Sequence, residues 1–187
     1  MRNAVEIKFS RENEECIIPS RTHGNAGFDV YIDAKWFRLT KFGALVMYPN
    51  DIKILPTGIR CILPPTHYFN LAERGSTGIK GLSYRAGIVD SNYRGVINAV
   101  INNTSNNIIV LVQREGHLSE EDLLEIGHKA EIDGIMFKDV ITYPITKGIA
   151  QLVLHEVPET NIMEVGPDEI LADVTDRGEG KFGSSGK

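Results

Sequence analysis

Short apolar runs in which every second residue is polar, broken again and again by glycine or proline, constrain this chain more than any other feature. In Val5-Glu6-Ile7-Lys8-Phe9-Ser10 the apolar positions alternate strictly, and the same period of two returns at Ile59, Cys61 and Leu63. Side chains that alternate between core and solvent make half-buried strands, whereas a helix would need a period near 3.6. Further segments rich in β-branched and aromatic residues lie at 27–33, 43–49, 51–55, 67–72, 95–102, 107–113, 139–145 and 149–157. The 18 glycines and 8 prolines fall largely between such runs, as turns between strands require. The expectation is an all-β fold, a barrel or jelly roll. A length of 187 residues suits one domain with room for an insertion.

Two stretches break the pattern. At Leu118–Gly127 Ser119 is placed to cap a helix whose first turn is acidic, and Gly127 is placed to end it. This helix sits in a polar stretch from about 103 to 138, read as an insertion. The end of the chain from Asp176 is rich in glycine, carries one aromatic residue, and should be mobile by itself. Acidic side chains number 25 and basic ones 20, and the resulting charge of −5 argues against broad binding to nucleic acid or anionic membranes. A phosphate-bearing ligand would need local donors or a metal. The sequence begins without a signal-like apolar stretch and contains no apolar run of membrane-spanning length, so a cytoplasmic location is expected. Cys16 and Cys61 are too few for a disulfide framework and read as buried thiols.

Five short segments could carry chemistry. Asp29 interrupts the apolar run of Ala26-Gly27-Phe28-Asp29-Val30-Tyr31. Glu73-Arg74-Gly75-Ser76-Thr77-Gly78 is a loop of small residues whose N–H groups can approach an anion, with Arg74 as a fixed charge. Gly87-Ile88-Val89-Asp90-Ser91-Asn92-Tyr93-Arg94-Gly95 delivers a carboxylate into a turn, with an aromatic ring three residues later. In Gly148-Ile149-Ala150-Gln151-Leu152-Val153 an amide that needs partners stands in a buried-looking run. The fifth is the glycine-rich tail, which lacks the spacing of a Walker A loop. Taken singly, each reads as a strand-edge acid, a turn, a satisfied core amide or a flexible end.

Taken together and in order, they resemble the five motifs of the trimeric dUTPase family: AGFD at 26–29, RGST at 74–77, GIVDSNYRG at 87–95, GIAQLV at 148–153 and RGEGKFGSSG at 177–186. The resemblance implies a distorted jelly roll or β-barrel over 1–176 and a C-terminal lid at 177–187. It also implies a homotrimer that hydrolyses dUTP to dUMP and pyrophosphate with Mg2+. Asp90 would be the general base, and Tyr93 would stack on the deoxyribose and exclude a 2′-hydroxyl. Backbone groups at Gly87 and Asn98 would read the uracil edge. Arg74, Ser76 and Thr77 would cradle phosphates, while Asp29, through water, and Gln151 would serve the metal shell or phosphate oxygens. Arg177, Gly183, Ser184 and Ser185 would close over the γ-phosphate, with Phe182 stacked on the base. Three positions depart from the usual motifs. Gly75 takes a serine's place, with Ser76 as the substitute hydroxyl; Gly148 takes an arginine's, with Lys147 as its stand-in; and Lys181 replaces a glycine.

The nearest competitor is dCTP deaminase, a fold relative that wants a glutamate in the strand after the third motif; Val96–Asn102 holds no carboxylate. Zinc-dependent deamination is disfavoured by five scattered histidines and the absence of a PCxxC following an HxE. A different class is a regulatory protein that binds an unidentified protein partner through the insertion. Asp90 and Gln151 are 61 positions apart, a spacing similar to that of some bacteriophage dUTPases with an extra segment there. The competing account is a surface excursion packed on its own assembly.

Overall fold

The computed structural model describes residues 4–40, 43–175 and 178. The chain divides into two units, Met1–Val157 and Pro158–Lys187. In the first, the elements run β1 (Lys8–Arg11), β2 (Gly27–Val30), α1 (Ala34–Phe37), β3 (Ala44–Met47), β4 (Ile52–Pro56), β5 (Ile59–Ile62), β6 (His67–Ala72), α2 (Gly75–Gly78), β7 (Leu82–Arg85), β8 (Ile88–Val89), β9 (Asn98–Asn103), β10 (Ile108–Val112), α3 (Glu120–Ile132), β11 (Val140–Pro144) and β12 (Ala150–Glu156). The second holds α4 (Pro167–Ala172), opened by proline in its first turn, where no N–H is needed.

The all-β expectation holds. The strands form a four-stranded sheet β2-β12-β6-β8, two three-stranded sheets β4-β9-β7 and β11-β10-β3, and the pair β1-β5. All neighbours are antiparallel except β10 and β11. One core joins Leu55, Phe69, Leu82, Ile101, Ile109, Leu111 and Leu152. Phe9, Phe28 and Phe69 meet with ring centroids 5.8 to 6.4 Å apart. Such pairs add about 0.5–1.5 kcal/mol each beyond area burial, and here they tie β1, β2 and β6 together. Both Asp29 on β2 and the exit of β6 toward Arg74 are anchored by that cluster.

The insertion expected over 103–138 needs correction. It contains β10, which lies between β11 and β3 with all five residues buried. Ile109 and Leu111 enter the main core, while Ile108, Val110 and Val112 face a second cluster with Ala130, Leu123, Ile126 and Phe137. A strand covered on both faces reads as a continuous apolar run, and a parallel neighbour requires a long crossover, which α3 supplies. The excursion proper therefore begins after Val112. Nor does the helix end at Gly127: α3 continues to Ile132. Gly127 is buried inside it because a Cβ there would stand 3.3 Å from Phe137 Cζ and 3.5 Å from Val140 Cγ2. The left-handed residue after the helix is Gly134, φ 71°. Ser119 does cap, accepting from the Asp122 N–H at 3.1 Å, and the Asp122 carboxylate accepts from the Ser119 N–H at 2.8 Å. Cys16 and Cys61 are free and buried, as expected.

Candidate active site

The four-stranded sheet sets the site. Antiparallel pairing puts Gln151 on β12 opposite Asp29 on one side and opposite Ala72 on the other. Just past Ala72 the chain turns through Glu73 into the single turn of α2, so Arg74 starts beside both residues. Its guanidinium grips Asp29 with two bonds, Nε donating to Oδ1 at 2.8 Å and Nη2 to Oδ2 at 3.1 Å. Burial works against the Arg74 charge, but the bonded Asp29 carboxylate outweighs it and holds the guanidinium above its ordinary pKa. Nη1 of Arg74 donates to the Gly148 carbonyl at 3.0 Å and lies 3.3 Å from Ser76 Oγ. Gln151 Nε2 donates to the Glu73 carbonyl at 2.6 Å, and a Cβ on Gly27 would run into the Gln151 side chain. Asp29, Arg74, Ser76 and Gln151, dispersed in sequence, thus share one cluster.

The other candidates in the second motif are less free. Thr77 is fully buried, with its N–H donating to the Arg74 carbonyl at 3.0 Å and its hydroxyl spanning the Arg74 N–H and carbonyl. Ser76 is exposed, and a side chain at Gly75 would meet nothing within 4 Å. Lys147, the expected stand-in for a motif arginine, pairs with Glu115 instead. The space beside Gly148 belongs to Arg74: a Cβ there would lie 3.2 to 3.3 Å from Arg74 Nε, Cδ and Cζ.

Asp90 is exposed and follows β8 in a turn closed by the Tyr93 N–H on the Asp90 carbonyl at 3.1 Å. Tyr93 is 43% exposed; its hydroxyl donates to the Val96 carbonyl at 3.0 Å, and a Cβ on Gly95 would collide with its ring. Gly87 accepts the Leu71 N–H at 2.7 Å. Asn98, opposite Pro56 on β9, is exposed and donates its amide to Val96 O at 3.1 Å. Because Phe69 faces Val89, one more step puts Asp90 level with Tyr68, four positions along β6 from the Ala72 that faces Gln151. At ~3.3 Å per residue that is about 13 Å along the sheet, so within one chain Asp90 stands apart from the Asp29–Arg74–Gln151 cluster. Arg177, Phe182, Gly183, Ser184 and Ser185 lie outside the described residues.

Sequence reasoning missed two tyrosines beside this cluster. Tyr143 donates its hydroxyl to Gly148 O at 2.7 Å, and Tyr84 donates to Ile149 O. The signal was there for Tyr143, since a hydroxyl in the apolar run of β11 must find an acceptor. No group of three His, Cys, Asp or Glu residues gathers among the described residues. Asp29 and Gln151 are the oxygen-bearing side chains beside Arg74 that would hold the water shell of a Mg2+ ion brought in on phosphates.

Comparison with known proteins agrees with this architecture. The dUTPase family model matches residues 13–115. The deoxyuridine 5'-triphosphate nucleotidohydrolase of Thermoanaerobacter sp. (strain X514) is 25% identical over 186 residues, covering 97% of each chain. Among solved structures, the Staphylococcus bacteriophage 80alpha dUTPase with dUpNHpp superposes with a TM-score of 0.67 at 20% identity, covering 97% of this chain and 99% of that one. That phage enzyme is described as controlling transfer of virulence genes by a proto-oncogenic G protein-like mechanism. A dUTPase variant from phage phi11 of S. aureus, described as coordinating a structural Mg(II) ion, gives 0.58 at 18% identity, covering 86% of this chain and 96% of that one. With its five motifs, its strand topology and a family model spanning more than half its length, the chain belongs to the dUTPase family of nucleotide hydrolases.

Proposed function

We propose that this chain hydrolyses dUTP to dUMP and pyrophosphate, with Asp90 holding and polarising the water that attacks the α-phosphorus. The observation that carries the reading is the cluster of Asp29, Arg74 and Gln151 on adjoining ends of β2, β6 and β12, in the same sheet whose last strand leads to Asp90. An exposed carboxylate at a turn is within reach of solvent and can accept a proton from water as the bond to phosphorus forms. Arg74 and Ser76 stabilise phosphate charge, and Gly87 and Asn98 present backbone groups to uracil. Tyr93 covers the sugar and leaves no room for a 2′-hydroxyl, which selects deoxynucleotides by exclusion. Mg2+ on the phosphates supplies charge neutralisation when bound, its waters held by Asp29 and Gln151.

The ~13 Å between Asp90 and the arginine cluster favours a site shared between copies, with one subunit lending Asp90 and Tyr93 and another lending Asp29, Arg74 and Gln151, as in a homotrimer. The segment 177–187 acts as a lid, with Arg177, Gly183, Ser184 and Ser185 on the γ-phosphate and Phe182 on the base.

The test is pyrophosphate release from dUTP, dCTP, dTTP and UTP with and without Mg2+. Release from dUTP alone, dependent on Mg2+, is expected, and Asp90→Asn should lower kcat at least ~10²-fold, in the range for a lost general base. Near-normal turnover by that variant removes Asp90 from the role; ammonia from dCTP replaces the reading with deamination.

The excursion that carries α3 supports a second role as a protein-docking surface. Leu124 is 74% exposed, Ile132 72% and Met136 88%, and large apolar groups gathered in one exposed segment suit a partner. Substituting Leu124 and Met136 by serine should leave turnover intact while abolishing capture of a partner; unaltered capture refutes docking through these residues.

A further inference from the structure

Strand β12 carries Gln151, and its entry is held by side chains from three other elements. The Gly148 carbonyl accepts two donors, the Tyr143 hydroxyl from β11 at 2.7 Å and Arg74 Nη1 at 3.0 Å, which fills both lone pairs of one oxygen. The next carbonyl, Ile149, accepts the Tyr84 hydroxyl from β7. Tyr84 is also fixed through its N–H, which donates to a Glu73 carboxylate oxygen at 3.0 Å, and the Glu73 carbonyl takes the Gln151 amide. Tyr143 is 2% exposed, and position 148 lacks a side chain just where the Arg74 guanidinium lies. Burial pushes the Tyr84 hydroxyl well above its ordinary pKa, so it remains a donor throughout the neutral range. A phenylalanine would fill either ring's space equally well. What the hydroxyls add is a fixed position for two successive carbonyls.

We infer that Tyr143 and Tyr84 are positioning residues for dUTP hydrolysis: they pin the backbone at 148 and 149, and through it fix the aim of Arg74 and Gln151. The inference rests on the proposed dUTPase reaction. Without Tyr143 the Gly148 carbonyl keeps only its bond to Arg74, so the two can drift as a unit. Charge in the site is unchanged, and attraction of the triphosphate persists. Misplacement by a fraction of an ångström instead weakens contacts that matter most in the transition state.

The experiment uses the full chain and the variants Tyr143→Phe, Tyr84→Phe, Arg74→Ala and the double variant Tyr143→Phe/Arg74→Ala. Turnover of dUTP is followed at a temperature well below every Tm. Each tyrosine variant is expected to lose kcat about tenfold while KM moves less than about threefold. In the Arg74→Ala background Tyr143→Phe should cost less than about twofold, because the residue it acts through is gone. A packing role alone would lower Tm and leave kcat and KM as they were. The second readout needs no turnover: the Arg74 Nε–H resonance, assigned by its loss in Arg74→Ala, should shift or broaden in Tyr143→Phe. An unmoved Arg74 resonance with unchanged kcat, or an equal loss of kcat with and without Arg74, overturns the inference. A wild-type chain that leaves dUTP intact overturns the assigned reaction instead, and the resonance then decides the positioning claim by itself.

Discussion

Gly87→Ala offers a strict test of how the sheet delivers Asp90. Gly87 precedes β8 and stands three residues before that carboxylate. A Cβ at this position would lie 2.7 Å from the Leu71 carbonyl oxygen and 3.0 Å from Asn70 Oδ1. Carbon–oxygen contacts are comfortable near ~3.3 Å, so β8 must move away from β6 by about 0.6 Å. The obstacle is backbone in a central strand, and it cannot swing aside as the end of a flexible side chain would. Moving β8 also strains the Leu71 N–H to Gly87 carbonyl bond, 2.7 Å long. A hydrogen bond of this kind contributes about 1 kcal/mol net, which corresponds to a Tm lower by roughly 2–4 °C for a chain of this size. A 1 Å misplacement of a reacting group can cost ~10²-fold, so about 0.6 Å at Asp90 should lower kcat on the order of tenfold. The assay is steady-state pyrophosphate release from dUTP, with Tm by calorimetry on the same sample. Gly166→Ala is the internal control, since its Cβ meets nothing within 4 Å and its φ is −71°, and it should keep both values. If Gly87→Ala turns over dUTP at the wild-type rate, the β6–β8 register does not set the position of Asp90, and the reasoning fails.

Other outcomes follow from the same contacts. Deleting 177–187 should leave Tm within about 1 °C and reduce turnover severely; unchanged turnover would show that this segment is no lid. Removing 105–136 should abolish folding, because it takes out β10 at the centre of its sheet, and a folded product by circular dichroism would contradict that placement. Gly127→Val should cost about 1–3 kcal/mol in denaturant unfolding by crowding Phe137, and a neutral result would mean α3 does not pack there. The Asp122 carboxyl is held below its ordinary 3.8 by bonds from the Ser119 hydroxyl and N–H. A depressed folded pKa stabilises above the unfolded value and is lost as pH falls through the folded one. The α3 signal should therefore weaken with acidification below about pH 4, and Asp122→Asn should flatten that dependence.

The fold class was legible because strand chemistry is local. A period of two, β-branched residues and glycine turns mark strands wherever one face is wet, which holds for Lys8–Arg11 and Ile59–Ile62. The same locality hid what depends on neighbours. The run at 108–112 was legible as a strand, within the candidate at 107–113, but its central place between β11 and β3 was not, so it was assigned to the insertion with the polar residues around it. Gly127 looked like a helix end because glycine usually is one, whereas here it admits the Phe137 ring. Four-residue helices such as Ala34–Phe37 are too short to leave a periodic trace.

For the site, the order of five motifs determined the family and named Asp29, Arg74, Asp90, Tyr93 and Gln151. Their arrangement was not in the sequence. Only the packed sheets decided that Arg74 turns back on Asp29 and fills the space left by Gly148, that Lys147 is drawn off to Glu115, and that Asp90 sits about 13 Å along the sheet from the level of Gln151. Residue type fixes which charges and donors a chain owns. Where each one points depends on strand register and on which backbone oxygens are left to accept, and those are properties of contacts between distant segments.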